Sequence, residues 1–137
     1  MIKKVRKSTA LYSRLIELDA SIFRNCDDEF KKNRDWWVML NESNQIIAYC
    51  GCLYSEGVCV FVRAWVMSTY RGRGFHKILI KERVAEAEKK KCKSIVTYTM
   101  RKNYNSANNL IKAGFLLHNP VYAYAGNDVM YFKKTLK

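Results

Sequence analysis

The sequence predicts an α+β fold, a mixed central sheet of about six to seven strands flanked by about four helices. Three observations carry that expectation. Residues 35–67 hold three β-branched and aromatic runs separated only by short polar turns, the pattern of an antiparallel meander. The third run leads into helical spacing and then into another β-branched run, residues 94–100, with no hairpin turn between them. Strand, helix, strand in that order reads as a crossover to a parallel neighbour. The 137 residues suit one compact domain, residues 1–137, and the only proline, Pro120, rules out a Pro-rich linker.

Taken in order, residues 2–6 alternate apolar and basic and read as a short strand. Ser8 and Thr9 offer helix N-caps, and Leu11, Leu15, Leu18 and Ile22 follow at helical spacing. Asp27, Asp28 and Glu29 suit the start of a second, short helix toward Lys32, where acidic groups complement the dipole. Strands are expected over residues 35–40, 45–54 and 58–67, joined by Asn41-Glu42-Ser43-Asn44 and by Glu56-Gly57. A helix runs from Phe75 to about Lys91, with apolar Leu79, Ile80, Val84 and Ala87 and a supporting Glu86–Lys90 pair. After the strand at 94–100, residues 103–113 form a helix stopped by Gly114. Phe115-Leu116-Leu117 starts a strand, Asn119-Pro120 breaks it, and residues 121–125 and 129–136 read as a closing hairpin around Gly126-Asn127.

Chemistry concentrates at the junction of the third meander strand and the helix that follows, Val66-Met67-Ser68-Thr69-Tyr70-Arg71-Gly72-Arg73-Gly74-Phe75-His76. A strand that feeds a glycine-rich turn and a helix N-terminus is an anion site, because unpaired N–H groups and the helix dipole face the same point. Gly72 and Gly74 permit positive φ and close approach of a ligand, and Arg71 and Arg73 supply charge-assisted bonds to phosphate. This combination suits the diphosphate of a coenzyme.

With these residues in view, the chain resembles the GCN5-related N-acetyltransferases, the GNAT family. The family's acetyl-CoA loop, Arg/Gln-x-x-Gly-x-Gly/Ala, stands here as Arg71-Gly72-Arg73-Gly74-Phe75-His76, and Asn103-Tyr104-Asn105-Ser106 followed by Lys112-Ala113-Gly114-Phe115 matches its Asn-x-x-Ser…Lys-x-Gly-Phe signature. The element order agrees over nearly the whole chain. Two departures stand out: His76 replaces a small residue, and Leu110 stands where many members carry a proton-donating tyrosine. The resemblance implies direct transfer of acetyl from acetyl-CoA to an amine, without a metal. It implies that Trp65, Val66 and Met67 offer backbone to the pantetheine arm, with the N–H of Val66 or Met67 holding the thioester oxyanion. It further implies that Arg71, Gly72, Arg73, Gly74, Phe75 and His76 hold the diphosphate, that Asn103 and Ser106 line the thiol region, and that Ser106 protonates the departing thiolate, with Tyr104 and Tyr98 as rivals.

The acceptor is not legible. Asp27, Asp28 and Glu29 suit a cationic amine, whereas Arg63 suits an acceptor with an acidic group. A net charge of +13, from 25 Lys+Arg against 12 Asp+Glu, favours anionic ligands and keeps nucleic acid open as a partner. The alternatives are therefore acetylation of an amine carried by nucleic acid, or an inactive nucleic-acid-binding module of the same fold. A dimer is also compatible with the sequence. Five cysteines, Cys26, Cys50, Cys52, Cys59 and Cys92, form no metal-ligand spacing and read as small buried thiols. The basic start at residues 1–7 is not followed by an apolar segment of signal-peptide type, and no apolar run approaches the roughly 20 residues that span a bilayer. A cytoplasmic protein is the expectation.

Overall fold

A computed structural model describes residues 1–23, 30 and 34–137. The acidic cluster Asp27-Asp28-Glu29 and Cys26 lie outside the described residues. The elements run β1 (Ile2–Val5), α1 (Ala10–Ile22), β2 (Arg34–Leu40), β3 (Ile46–Ser55), β4 (Val58–Val66), α2 (Phe75–Lys89), β5 (Ser94–Met100), α3 (Tyr104–Lys112), β6 (Leu116–Leu117) and β7 (Val129–Thr135). A single 3₁₀ turn, Ser68–Tyr70, links β4 to the glycine loop. The strands form one seven-stranded sheet in the order β1-β2-β3-β4-β5-β7-β6. The expected meander is β2-β3-β4, and the expected crossover is β4-α2-β5, which pairs in parallel.

Local chemistry explains the boundaries. Thr9 accepts from the N–H of Tyr12 at 3.2 Å and starts α1. The β3–β4 hairpin turns on Glu56 and Gly57, both at positive φ (49° and 80°), as a two-residue turn between twisted strands requires. Gly114, at φ 93°, ends α3: its N–H reaches Ile111 O at 3.0 Å and that of Phe115 reaches Leu110 O at 3.0 Å. The chain end differs from expectation. Residues 121–125 form no strand. Instead Tyr131, on β7, fixes that segment through its hydroxyl, which accepts from Ala125 N–H at 2.9 Å and donates to Gly126 O at 2.7 Å. Strand β7 pairs with β5 and with the short β6. Apolar composition alone did not distinguish a strand from a coil pinned by one tyrosine.

The sheet has a core on each face. Trp37, Cys50, Cys59, Leu79, Ile95 and Phe132 pack on the side of α2 and α3. Leu15, Trp36, Val38 and Tyr49 pack on the side of α1. The four described cysteines are buried and unbridged, as small apolar fillers are.

The feature that positions the site is a bulge in β4. Cys50 pairs with Ala64 but Gly51 pairs with Val62, so Arg63 is an extra residue, held at φ 53°. A bulge bends its strand and raises the local twist. Strand β4 pairs with β5 only at Val58↔Ser94, Cys59↔Ile95 and Val60↔Val96, and beyond Val60 the two part. The buried Arg83 of α2 braces the bend, donating through Nη1 to Arg63 O at 3.3 Å and to Gly51 O at 3.4 Å. Its guanidinium also lies 3.9 Å from the centre of the Phe61 ring.

Gly51 is glycine for space: a Cβ there would sit 2.7 Å from the indole ring of buried Trp36. Gly51→Ala is expected to lower stability by about 1–3 kcal/mol, as overpacking does, measured by urea unfolding. An unchanged midpoint would show that the ring gives way freely.

Candidate active site

The parting of β4 and β5 leaves strand backbone unpaired. Met67 N–H donates to Ile47 O at 2.8 Å, next to the pair Ala48↔Val66. In an antiparallel ladder the residue before such a donor makes no bond to that neighbour. The N–H and C=O of Val66, and by the same alternation those of Ala64, therefore point away from β3 into the gap. The Val66 carbonyl accepts from Arg71 Nε at 2.9 Å, which ties the glycine loop to the strand end. Met67 is thus corrected as an oxyanion donor, because Ile47 already holds its N–H. The backbone of Trp65 faces β3, opposite Tyr49, while its side chain lies against the Tyr49 ring at 5.7 Å. Ala64, which the sequence did not single out, directs its N–H into the gap in its place by the alternation of the ladder.

The loop has the expected form. Gly72 and Gly74 lie at φ 78° and 82°, and the space a Cβ would enter is empty at both. Glycine here serves conformation and leaves a bare backbone surface. The first helical bond of α2 is Ile78 N–H to Gly74 O at 3.2 Å, so the N–H groups of Phe75, His76 and Lys77 open onto the loop without helical acceptors. Arg73 turns aside, its guanidinium 5.0 Å from the centre of the Tyr70 ring.

A cavity of about 610 Å³ joins this loop to α3. Arg71, Gly72, Gly74, His76, Lys77, Asn103, Ser106 and Lys112 line it together with Trp65 and Val66, so the two motifs, about 30 residues apart, meet. Arg73 does not line it. Asn103 caps α3, its Oδ1 accepting from Ser106 N–H at 3.3 Å. Tyr104 is 67% exposed and lines neither this cavity nor its neighbour. A second cavity, about 560 Å³, opens through the gap toward α1 and is lined by Arg63, Arg83, Thr99, Tyr98 and Tyr124 among others. The two share Ala64, His76, Asn103 and Ser106, which mark their junction.

Charge and protonation at the junction follow from burial. His76 Nδ1 lies 3.1 Å from Asn109 Nδ2, so the ring nitrogen accepts, the proton sits on Nε2, and the side chain turns from the loop toward α3. Burial, with the Arg83 charge as a smaller cause, pushes the His76 pKa down to about 4. The ring is neutral at pH 7. Arg63 is engaged as well: its Nε lies 3.0 Å from Oδ1 of buried Asp19, which also accepts from the Tyr49 hydroxyl at 2.5 Å. The expectation that Arg63 signals an acidic acceptor is corrected, because Asp19 neutralises it. Among the described residues, no group of three or more His, Cys, Asp or Glu stands in metal-binding proximity.

The residues present fit acetyl-CoA. One bare glycine loop at a helix N-terminus and three cations (Arg71, Lys77 and Lys112) line the first cavity, with no carboxylate among the described residues, and the strand backbone beside it is unpaired on its β5 side.

The comparisons agree with that geometry. A family model described as "Acetyltransferase (GNAT) family" matches residues 2–115. A candidate acyl-CoA N-acyltransferase from Klebsiella pneumoniae superposes with a TM-score of 0.81 at 16% identity, over 100% of this chain and 97% of that one. A GNAT acetyltransferase from Elizabethkingia anophelis with acetyl-CoA bound gives 0.78 at 16% identity, over 99% and 97%. A Bacillus subtilis acetyltransferase in complex with CoA gives 0.77 at 14% identity, over 99% and 98%. A comparison with curated protein sequences gives no match. At these identities the structural likeness is one of fold, and the family match carries the assignment: the chain belongs to the GNAT acetyltransferase family.

The depressed His76 pKa makes a stability prediction. The unfolded imidazole binds its proton near 6.5 and the folded one only near about 4. The neutral ring therefore costs nothing above 6.5, and stability is lost as pH falls from there toward about 4. The full loss is on the order of 3 kcal/mol. Urea unfolding at pH 7 and pH 4.5 should show a smaller acid loss in His76→Asn than in the wild type. Equal losses would remove His76 as the source.

Proposed function

We propose that this protein moves the acetyl group of acetyl-CoA directly to a primary amine, with acetyl-CoA in the first cavity and the amine entering through the second. The observation that carries the reading is the meeting of the two cavities at Ala64, His76, Asn103 and Ser106, beside backbone that no strand occupies. The first-turn N–H groups of α2 and Arg71 hold the diphosphate, with Lys77 and Lys112 adding charge. The pantetheine arm lies along Val66 as an added strand would. The free N–H of Ala64, at the junction, stabilises the oxyanion that develops on the thioester carbonyl.

The neutral amine attacks the acetyl carbon, a C–N bond forms and the C–S bond breaks. An ammonium acceptor releases two protons overall. Ser106 delivers one to the departing thiolate, giving the CoA thiol, and the other leaves through water, since no Asp or Glu among the described residues lines either cavity. His76 stays neutral and holds α2 to α3 through Asn109.

Acetyl-CoA at 100 times its Kd is expected to stabilise the protein by about 2.7 kcal/mol, read as a rise in Tm. Arg71→Ala should weaken acetyl-CoA binding about tenfold or more, as loss of a charged hydrogen bond does. A melting curve indifferent to saturating acetyl-CoA would sink the reading. Ser106→Ala should lower kcat about a hundredfold while leaving KM for acetyl-CoA within a few-fold. An unchanged kcat would remove Ser106 as proton donor.

A further inference from the structure

We infer that the acceptor is a small primary amine carrying one amino group on an aromatic body, an arylalkylamine. The inference rests on the proposed acetyl transfer and concerns the second cavity of that same site.

The part of this cavity that opens toward α1 is walled by Phe23, Val60, Val62, Tyr98, Met100 and Tyr124. Two of these present ring surface to solvent, Tyr98 at 42% and Tyr124 at 40% exposure. Their rings meet at 6.0 Å in a T-shaped pair, and Tyr131 backs both at 6.4 and 5.3 Å. The assembly is fixed, because Tyr131 is buried and its hydroxyl clamps residues 125 and 126. Exposed aromatic faces held rigid at a cavity mouth cost little entropy to engage and favour a second ring in edge or offset contact.

The charged groups argue in the same direction. Arg34, Arg63 and Arg83 line the cavity, and no Asp or Glu among the described residues does. Asp19, the nearest carboxylate on α1, is 2% exposed and bonded to both Arg63 and Tyr49. Among the described residues, the cavity offers no carboxylate to receive the several cations of a polyamine or aminoglycoside. A single amine on an apolar body brings one cation and loses that charge before it attacks. Thr99, on the opposite face of β5 from Tyr98, is 6% exposed, and among the described residues its hydroxyl has no hydrogen-bond partner. Lying on the same cavity, it offers a polar contact to an amine on its way from the rings to the junction. The transfer is that given above: the amine nitrogen bonds to the acetyl carbon, the C–S bond breaks, and the two protons of the ammonium form go to the thiolate and to water.

The test is transfer of radiolabelled acetyl from acetyl-CoA to 2-phenylethylamine, tyramine, phenylalanine, spermidine and a lysine peptide, each at equal concentration. The rise in Tm with acetyl-CoA is measured in parallel. The expected result is a kcat/KM for the two arylalkylamines at least tenfold above the other three. Tyr98→Ala with Tyr124→Ala should raise KM for 2-phenylethylamine about tenfold, leave kcat within threefold and leave the acetyl-CoA Tm shift intact. Tyr98→Phe with Tyr124→Phe, which keeps the rings, should restore KM. Preference for spermidine, phenylalanine or the peptide, with the acetyl-CoA shift present, overturns the acceptor class and leaves the donor reading standing. Absence of the acetyl-CoA shift overturns both.

Discussion

The buried guanidinium of Arg83 donates to the carbonyls of Gly51 and Arg63, on the two strands that meet at the bulge. The rest of the site depends on that brace. One extra residue in β4 turns the strand away from β5 after Val60, and the gap that results is the shared wall of both cavities. An unpaired strand edge inside a sheet carries unsatisfied N–H and C=O groups, which fold stability alone would not favour. In the function proposed above, a ligand with an amide-bearing arm resolves that conflict.

Much of the donor side was legible from the residues. Gly72 and Gly74 are needed where φ is positive, Arg71 faces the cavity, and Asn103 caps α3 where the spacing placed it. These signals are local: turn chemistry, capping and helical period act within a few residues. The backbone donors were not legible to the residue. Whether Val66 or Met67 is free depends on strand register, which the extra residue at Arg63 shifts, and nothing in the alternation of residues 58–67 marks a bulge there. Arg83 shares the buried face of α2 with Leu79, Ile80 and Ala87, so helical spacing could have flagged it as a buried charge. Arg63 was misread because its partner, Asp19, lies 44 residues away on another element. Residues 121–125 were misread as a strand because Val121, Tyr122 and Tyr124 suit one, although Tyr131 fixes them otherwise.

Cations stand at both cavities. On the donor side Arg71, Lys77 and Lys112 stand with the N-terminus of α2, a concentration of positive potential suited to a ligand of several phosphates. At the second cavity the arginines are engaged with protein: Arg83 with carbonyls, Arg63 with Asp19. The same residue type thus attracts a ligand at one end of the gap and holds the gap open at the other. His76, in place of a small residue, ties α2 to α3 at the junction while remaining neutral. It stiffens the point where the two cavities meet without adding another charge there.

The central claim is that the β5-facing edge of β4 is left open at Ala64 and Val66 so that acetyl-CoA can pair with it. Amide hydrogen exchange, read residue by residue with and without acetyl-CoA, tests it most directly. The account predicts fast exchange at Ala64 and Val66 in the free protein, marked slowing at both when acetyl-CoA is added, and slow exchange at Met67 in either state because Ile47 already holds it. Protection of Val66 in the free protein, or no change at Ala64 and Val66 on saturation with acetyl-CoA, would contradict it.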